Sequence, residues 1–423
     1  METRPFWTDD FPRPTDLPTA SLPSSVEVLV VGAGYTGLVA ARELAAAGRS
    51  VAVLDAETVG AGASSRNGGQ INYGLKAATT TLFRRHGPEL GRRLWDASLE
   101  AIDLVEETAR AEGFDCDFAR VGAAELAYRR RDLARLAAES RWLEEELGFV
   151  TRPVPPEEMR RVVGSDAYAC ALLDDAGAAV HPAKLVYGLA AAVARRGVPL
   201  VEHARVTDIV PTRTGYRVGS TRGTVAARDV LVATNGYTAD VPPGLGRRVV
   251  PIGSYMIATE PLPADLAERL VPGRRVMWTS RRLLNYFRRS ADDRLLFGGR
   301  QDLSPSLDLV ENAAALRRTM IGVFPQLEGV AITHSWGGRL GATFDLLPHI
   351  GRIDGIWYAL GYGGHGVGLS FVLGRDVARL IAGTAATSPF AEISHPTRWY
   401  HRGSPWFLPV GARWWRLLDR IGR

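Results

Sequence analysis

Two glycine-rich stretches hold the residues whose types and spacing could do chemistry. GAGYTG, residues 32–37, sets Gly32, Gly34 and Gly37 in the spacing GxGxxG, between an apolar run at 26–31 and a stretch of helical apolar spacing at 38–47. Gly32 allows a tight turn, and Gly34 lets a pyrophosphate touch the backbone at a helix N-terminus that Tyr35 and Thr36 open. Gly37 lets helix and strand pack closely. Asp55, with Ala56 beside it, closes a second apolar run at 51–54, eighteen residues after Gly37, where a carboxylate accepts from a ribose hydroxyl. The chemistry implied is the holding of a dinucleotide.

The second stretch, GAGASSRNGGQI at 60–71, follows that strand almost directly. A nicotinamide enzyme needs nothing special there. Ser64, Ser65, Arg66, Asn67, Gly68, Gly69 and Gln70 are small or polar and could follow a pyrophosphate and ribityl chain toward a ring system. A flexible surface loop is the other reading that spacing alone leaves open.

The elements that must position these loops begin with a strand, helix, strand unit of about thirty residues. Helical patterns dominate from 88 to 146, and a further helix over 182–196 leads into short alternating strands and LVATNGYT at 231–238. A mixed region follows, with β-like runs YMIATEPL, LLNYFRR and RLLFGG and a helix over 312–323. The chain then gives GIWYALGYGGHGVGLS, a strand running into a glycine loop and a helix. Nucleotide-like elements thus stand at the beginning, middle and end, so two interleaved domains fit better than two consecutive ones. The expected partition is 24–85, 155–240 and 335–390 for the nucleotide domain, 86–154 and 241–334 for a substrate-binding cap, and 391–423 for a C-terminal tail.

Composition narrows the class. The 423 residues are 46% hydrophobic and 23% charged, as in a globular enzyme. Lys+Arg of 51 against Asp+Glu of 46 is a small, scattered excess, which argues against nucleic acid as the partner. Cys116 and Cys170 are too few for a disulfide framework or a thiolate metal site and read as buried free thiols of a cytoplasmic protein. The start has no signal-peptide pattern, and no stretch approaches the roughly 18 apolar residues of a membrane span. The tail PVGARWWRLLDRIGR is basic and amphipathic; it reads as docked on the protein body, with an anionic membrane surface as the alternative. His181 before Pro182 reads as a helix cap, and His334 and His349 lack a second ligand at metal spacing.

Taken together, GAGASSRNGGQI, LVATNGYT, PIGSYMIATEPL, NYFRRSADDRLLFGGR, SWGGRLGATFDLLPHIGR and GYGGHGVGLS, in that order, resemble the FAD-dependent family of D-amino-acid oxidase, glycine oxidase and sarcosine oxidase, most nearly its gamma-glutamylputrescine oxidase branch. The resemblance spans nearly the whole chain. It implies an α/β fold in which an FAD-binding Rossmann-like domain of glutathione-reductase type is interleaved with an α+β substrate domain on a mainly antiparallel sheet. It implies that Asp55 binds the adenosine ribose, that Ser64 to Gln70 line pyrophosphate and flavin, and that Val206 offers its backbone to the adenine. Ala233, Thr234, Asn235 and Gly236 would pass under the cofactor. Gly361, Gly363, Gly364, His365, Gly366 and Val367 would bring a helix N-terminus to the pyrimidine end of the flavin, where it stabilises developing negative charge.

Departures from the family carry information too. The cysteine or histidine through which some members attach flavin is missing, so FAD is expected to be non-covalent. Gly368 stands where the sarcosine oxidase branch has a carboxylate-gripping lysine, and neither Lys76 nor Lys184 matches its oxygen-activating lysine. The reaction implied is oxidation of a C–N bond of a small-molecule amine by hydride transfer to flavin N5, with oxygen or another acceptor taking the electrons. Expected pocket residues are Tyr73, Tyr255, Met256, Tyr286, Trp336, Arg339 and His365, whereas Arg288 and Arg289 read as a solvated strand edge. The competing readings are a flavin hydroxylase, disfavoured by the absence of a Gly-Asp dipeptide at the second cofactor strand, and a non-catalytic nucleotide-binding protein.

Overall fold

Short runs of valine, leucine and alanine with no polar face must be covered on both sides, and the chain achieves this with parallel pairing. In the computed structural model, which describes residues 1–299, 303–304 and 308–421, β1 (Ser25–Val31) lies between β2 (Val51–Leu54) and β3 (Gly223–Val232), parallel to both. Leu200–Val201 and Ile356–Leu360 extend the sheet in parallel on its two sides. His349–Ile353 and the hairpin of Val206–Thr212 and Gly215–Ser220 join it antiparallel.

Helix α1 (Tyr35–Ala46) leaves β1 through the first glycine turn. Gly32 has φ +107°, and a Cβ on Gly37 would collide with the Gly32 carbonyl oxygen, so both glycines are required by backbone geometry. Helix α2 (Gly366–Ala382) packs beside α1, and the two share the largest hydrophobic core.

The second sheet is mainly antiparallel. Its order runs Ile332–Ala342, Val250–Thr259, Leu295–Gly299, Asn285–Arg289, Val276–Thr279, Ala123–Ala127, Cys170–Asp174, Arg152–Val154. Three of these strands reach the site: β4 (Val250–Thr259), β5 (Asn285–Arg289) and β6 (Ile332–Ala342). The only parallel pair in this sheet, among the described residues, is Val276–Thr279 with Ala123–Ala127. Phe287, Phe297 and Phe324 anchor its own core under the helix Leu309–Val323.

The two-sheet α/β architecture expected from the sequence is present. Individual elements depart from the expectation. Ala123–Ala127 is a strand inside the stretch read as helical, because it is zipped between Val276–Thr279 and Cys170–Asp174, and tertiary pairing outweighs the helical preference of alanine. Cys170–Asp174 and most of β6 fall in segments assigned to the nucleotide domain, yet both are hydrogen-bonded into the second sheet.

Arg288 and Arg289 are not a solvated edge. Both are 6% exposed, because β5 is interior to the sheet and its flank is covered by the N-terminal helix Phe6–Asp10. Arg288 donates to the carbonyls of Gly69 (2.5 Å) and Val180 (2.8 Å) and lies over the Trp7 ring, while Arg289 pairs with Asp293 and Glu268. Asp9 and Asp10 of the same short helix bind His334 and His181. His181 also caps its helix, accepting from the Lys184 N–H. Both cysteines are buried thiols, and burial pushes that of Cys116 up to about 12.

Candidate functional site

The parallel strands β1, β2 and β3 end at one edge of the first sheet, and the loops that follow them open a cavity of about 1010 Å³ that continues to the face of the second sheet. Sites at the carboxyl ends of parallel strands follow from this topology, because helix N-termini gather there. The volume is at the top of the range for ligand pockets, roughly 300–1,000 Å³.

At the first-sheet end the wall is formed by Gly32, Gly34, Tyr35, Thr36, Asp55, Ala56 and Val206. The Asp55 carboxylate accepts from the Ala33 N–H (2.7 Å) and the Glu57 N–H (2.9 Å), so it fixes the glycine turn from beneath. Burial nonetheless raises its pKa, since these bonds only partly offset desolvation. The head of α1 has no side-chain cap from Gly34; the Tyr35 N–H donates instead to Ser64 Oγ (3.0 Å), which ties the two glycine loops together.

The loop at 60–71 is held chiefly by its own polar residues. Asn67 Nδ2 donates to the Ala63 and Ser64 carbonyls while its Oδ1 accepts from the Gly69 N–H. Arg66 donates to the carbonyls of Ala61 and Gly337, and Gln70 to that of Phe287. Ser64, Arg66, Asn67, Gly68 and Gln70 line the cavity, whereas Ser65 and Gly69 do not. Gly69 is needed on the other side of the loop, where a Cβ would run into the Val180 carbonyl and the Arg288 guanidinium.

Thr234 and Asn235 line the floor, and Asn235 Oδ1 accepts from the Gly361 N–H (3.1 Å), joining the loop after β3 to the loop before α2. Gly37, Gly236 and Gly361 sit behind the wall. Gly363, Gly364, His365, Gly366 and Val367 line the opposite side. No side chain caps α2 at His365, and Tyr362 Oη and Thr36 Oγ1 meet at 2.6 Å, linking the heads of α1 and α2.

The second sheet contributes Tyr255 from β4 and Tyr286 from β5, with Arg339 of β6 exposed at the rim over the Tyr237 ring. Tyr286 Oη meets Ser254 Oγ at 3.0 Å, and Tyr255 Oη donates to the Ser304 carbonyl. Met256 and Trp336 are buried behind this wall, and Trp336 Nε1 donates to the Arg66 carbonyl. Tyr73 does not reach the cavity. Asn72 and Lys76 on either side of it line the wall, but the Tyr73 ring packs against Trp95 and Phe149 at 5.6 and 4.7 Å.

Residues that sequence reasoning did not place here include Asn72, Lys76, Trp278, Leu284 and Leu309. They carry no local motif, because their position depends on turns and sheet register. Lys76 lies against the C-terminal glycine loop, so closely that a Cβ on Gly363 would be 3.1 Å from Lys76 Cβ. Among the described lining residues the acids are Asp55 and Glu57, both just after β2.

This donor set fits FAD. Two helix N-termini open on one cavity, a buried carboxylate sits under the first glycine turn, and the far wall is aromatic. Among the described lining residues there is no cysteine, and His365 is the sole histidine.

Comparison with known proteins agrees with this geometry. A family model described as FAD dependent oxidoreductase matches residues 27–380. Gamma-glutamylputrescine oxidoreductase of Escherichia coli (strain K12) is 36% identical over 401 residues, covering 94% of this chain and 93% of that protein. Glycine oxidase of Geobacillus kaustophilus (strain HTA426) is 28% identical over 373 residues, 84% of this chain and 92% of the relative. The crystal structure of glycine oxidase from Geobacillus kaustophilus matches with a TM-score of 0.76 at 23% identity, covering 88% of this chain and 100% of that one. L-proline dehydrogenase from P. horikoshii shares the fold at a TM-score of 0.70 and 20% identity, over 87% and 98% of the two chains.

Proposed function

The chain belongs to the family of FAD-dependent oxidoreductases that act on amines or amino acids, and on that premise we propose that it oxidises the C–N bond of a primary or secondary amine resembling γ-glutamylputrescine. The product is an imine, which water hydrolyses to an aldehyde. The observation that carries this reading is the continuity of the cavity from the dinucleotide-type turn at Gly32 to the aromatic wall of Tyr255 and Tyr286, joined to the 36% identity with an enzyme named for that substrate.

When bound, FAD supplies the two-electron acceptor. The residues of the chain do the rest. Gly32, Gly34, Tyr35 and Thr36 hold the pyrophosphate at the head of α1, and Asp55 has lone pairs left on both oxygens for the ribose. Ser64, Arg66, Asn67, Gly68, Gln70, Thr234 and Asn235 would brace the cofactor without a covalent bond. Tyr255, Tyr286, Trp278 and Leu309 shut water away from the reacting carbon and fix its orientation.

Protonation of the substrate follows from charge. Lys76, His365 and Arg339 stand on the cavity wall, and among the described lining residues the carboxylates are Asp55 and Glu57. Oxidation requires the amine as its free base, and a cation beside the amine disfavours the ammonium. No side-chain base is needed.

The test is anaerobic mixing of the yellow protein with a panel of amines, followed by air. Bleaching by a γ-glutamylated diamine or an N-alkyl amino acid supports the proposal, and failure of every amine refutes it. Fast recolouring identifies oxygen as the acceptor, and slow recolouring another one. In the same assay Lys76→Met is expected to move the pH profile of bleaching upward by about one unit, the size of a single nearby charge effect.

A further inference from the structure

The C-terminal helix α3 (Leu408–Ile421) has two apolar faces. Its inner face seats Leu408 and Ala412, with Trp415 partly covered, on Val250, Ile252 and Ala342 of the second sheet. This is the docking on the protein body that the sequence suggested. Its outer face is another matter. Val410, Trp414 and Leu417 follow one another at helical spacing on the solvent side, Trp406 stands four residues before Val410, and Trp399 precedes them; all five are between 47% and 82% exposed.

An isolated exposed apolar side chain needs no explanation, but a stripe of them at helical spacing does. Charge distribution says what covers it. Residues 395–423 contain six arginines and a single acid, Asp419, for a net +5, which equals the +5 of the entire chain; the other residues therefore sum to zero. The same segment holds four of the ten tryptophans. Arg398, Arg402 and Arg413 are exposed around the stripe.

Tryptophan and leucine on one face, arginine on the flank and a length too short to span a bilayer describe a helix that lies in a membrane interface. No helix among the described residues is long and apolar enough to cross a membrane. We propose that the outer face of α3 docks this protein on an anionic lipid bilayer, with Trp406, Val410, Trp414 and Leu417 entering the headgroup boundary and Arg398, Arg402 and Arg413 meeting lipid phosphates. A second copy of the chain would cover the apolar stripe but would bring together two surfaces of the same positive charge.

Vesicle flotation of the flavin-loaded full chain tests this. Vesicles of phosphatidylcholine with phosphatidylglycerol should carry the protein, raised salt should weaken binding, and phosphatidylcholine alone should bind on the order of tenfold less. Val410→Ser/Trp414→Ser/Leu417→Ser should abolish binding while flavin absorbance and melting midpoint stay unchanged. Arg402→Glu/Arg413→Glu, which alters only exposed charges, should also lower binding about tenfold. No binding to the anionic vesicles, or binding by either variant equal to that of the native chain, overturns the proposal. So does a dimer on light scattering that the triple variant dissociates, since the stripe would then belong to a second copy.

Discussion

Arg288 shows how a residue that touches no substrate can govern a cofactor loop. It is buried, burial pushes its pKa down to about 10, and its guanidinium donates to the carbonyls of Gly69, Val180 and Arg289. Arg288→Met keeps the stem and strands the Val180 carbonyl, while the Gly69 carbonyl keeps the Val180 N–H, at a cost of about 1–3 kcal/mol for one orphaned acceptor. Urea unfolding should show that loss, and dialysis should show faster release of flavin, with Arg288→Lys intermediate in both. Reduced stability with unchanged flavin retention would confine the arginine to a fold role. The sequence did not disclose this residue. The tight turn at Gly32 and the Asp55 carboxylate beneath it were legible because their positions are set by neighbours within one strand, helix, strand unit. Arg288 looked like a polar edge because what covers it comes from Phe6 and Trp7, some 280 residues earlier.

Between residue and whole chain stands the strap before α3, where His395 stacks on His349 at 4.0 Å and 4°. His395 Nε2 lies 2.9 Å from the Arg248 carbonyl and Nδ1 3.2 Å from Tyr358 Oη, which suits a neutral ring donating through Nε2 and accepting at Nδ1. Burial, then the neighbouring His349 charge, lowers its pKa from 6.5 to about 3. In the unfolded chain the ring protonates as pH falls below 6.5, while in the folded chain it resists until about 3. Its stability contribution is therefore complete above 6.5 and drains away as pH falls through that window. Between pH 7 and pH 5 this amounts to about 2 kcal/mol. Denaturant titrations at the two pH values should show the difference in the native protein and a smaller one in His395→Gln; identical slopes would mean the ring is hydrated. Elements like this strap, the N-terminal helix and the strand Ala123–Ala127 escaped the sequence reading, since each is set by a long-range partner rather than by its own period.

For the molecule as a whole, the cavity is the place where the two sheets face one another. The interleaving of nucleotide-like and antiparallel segments was readable from motif order, and the α/β architecture with it. Which strands cross between the sheets was not, because Cys170–Asp174 and β6 are placed by pairing partners far away in sequence. A ligand that touches walls from both sheets stabilises them jointly, by RT ln(1 + [L]/Kd), about 2.7 kcal/mol at a hundredfold excess over Kd. In the binding mode proposed above, ADP would fill only the first-sheet end, at Gly34, Asp55 and Val206, whereas FAD would extend along the cavity toward the wall of Tyr255 and Tyr286. Removing FAD should therefore lower the melting midpoint and expose the glycine loop at 60–71 to proteolysis. Readdition of FAD should restore both, while ADP at equal saturation should restore protection only in part. Equal rescue by ADP and FAD would mean that the second sheet gains nothing from the flavin ring, and the aromatic wall would then serve the substrate alone.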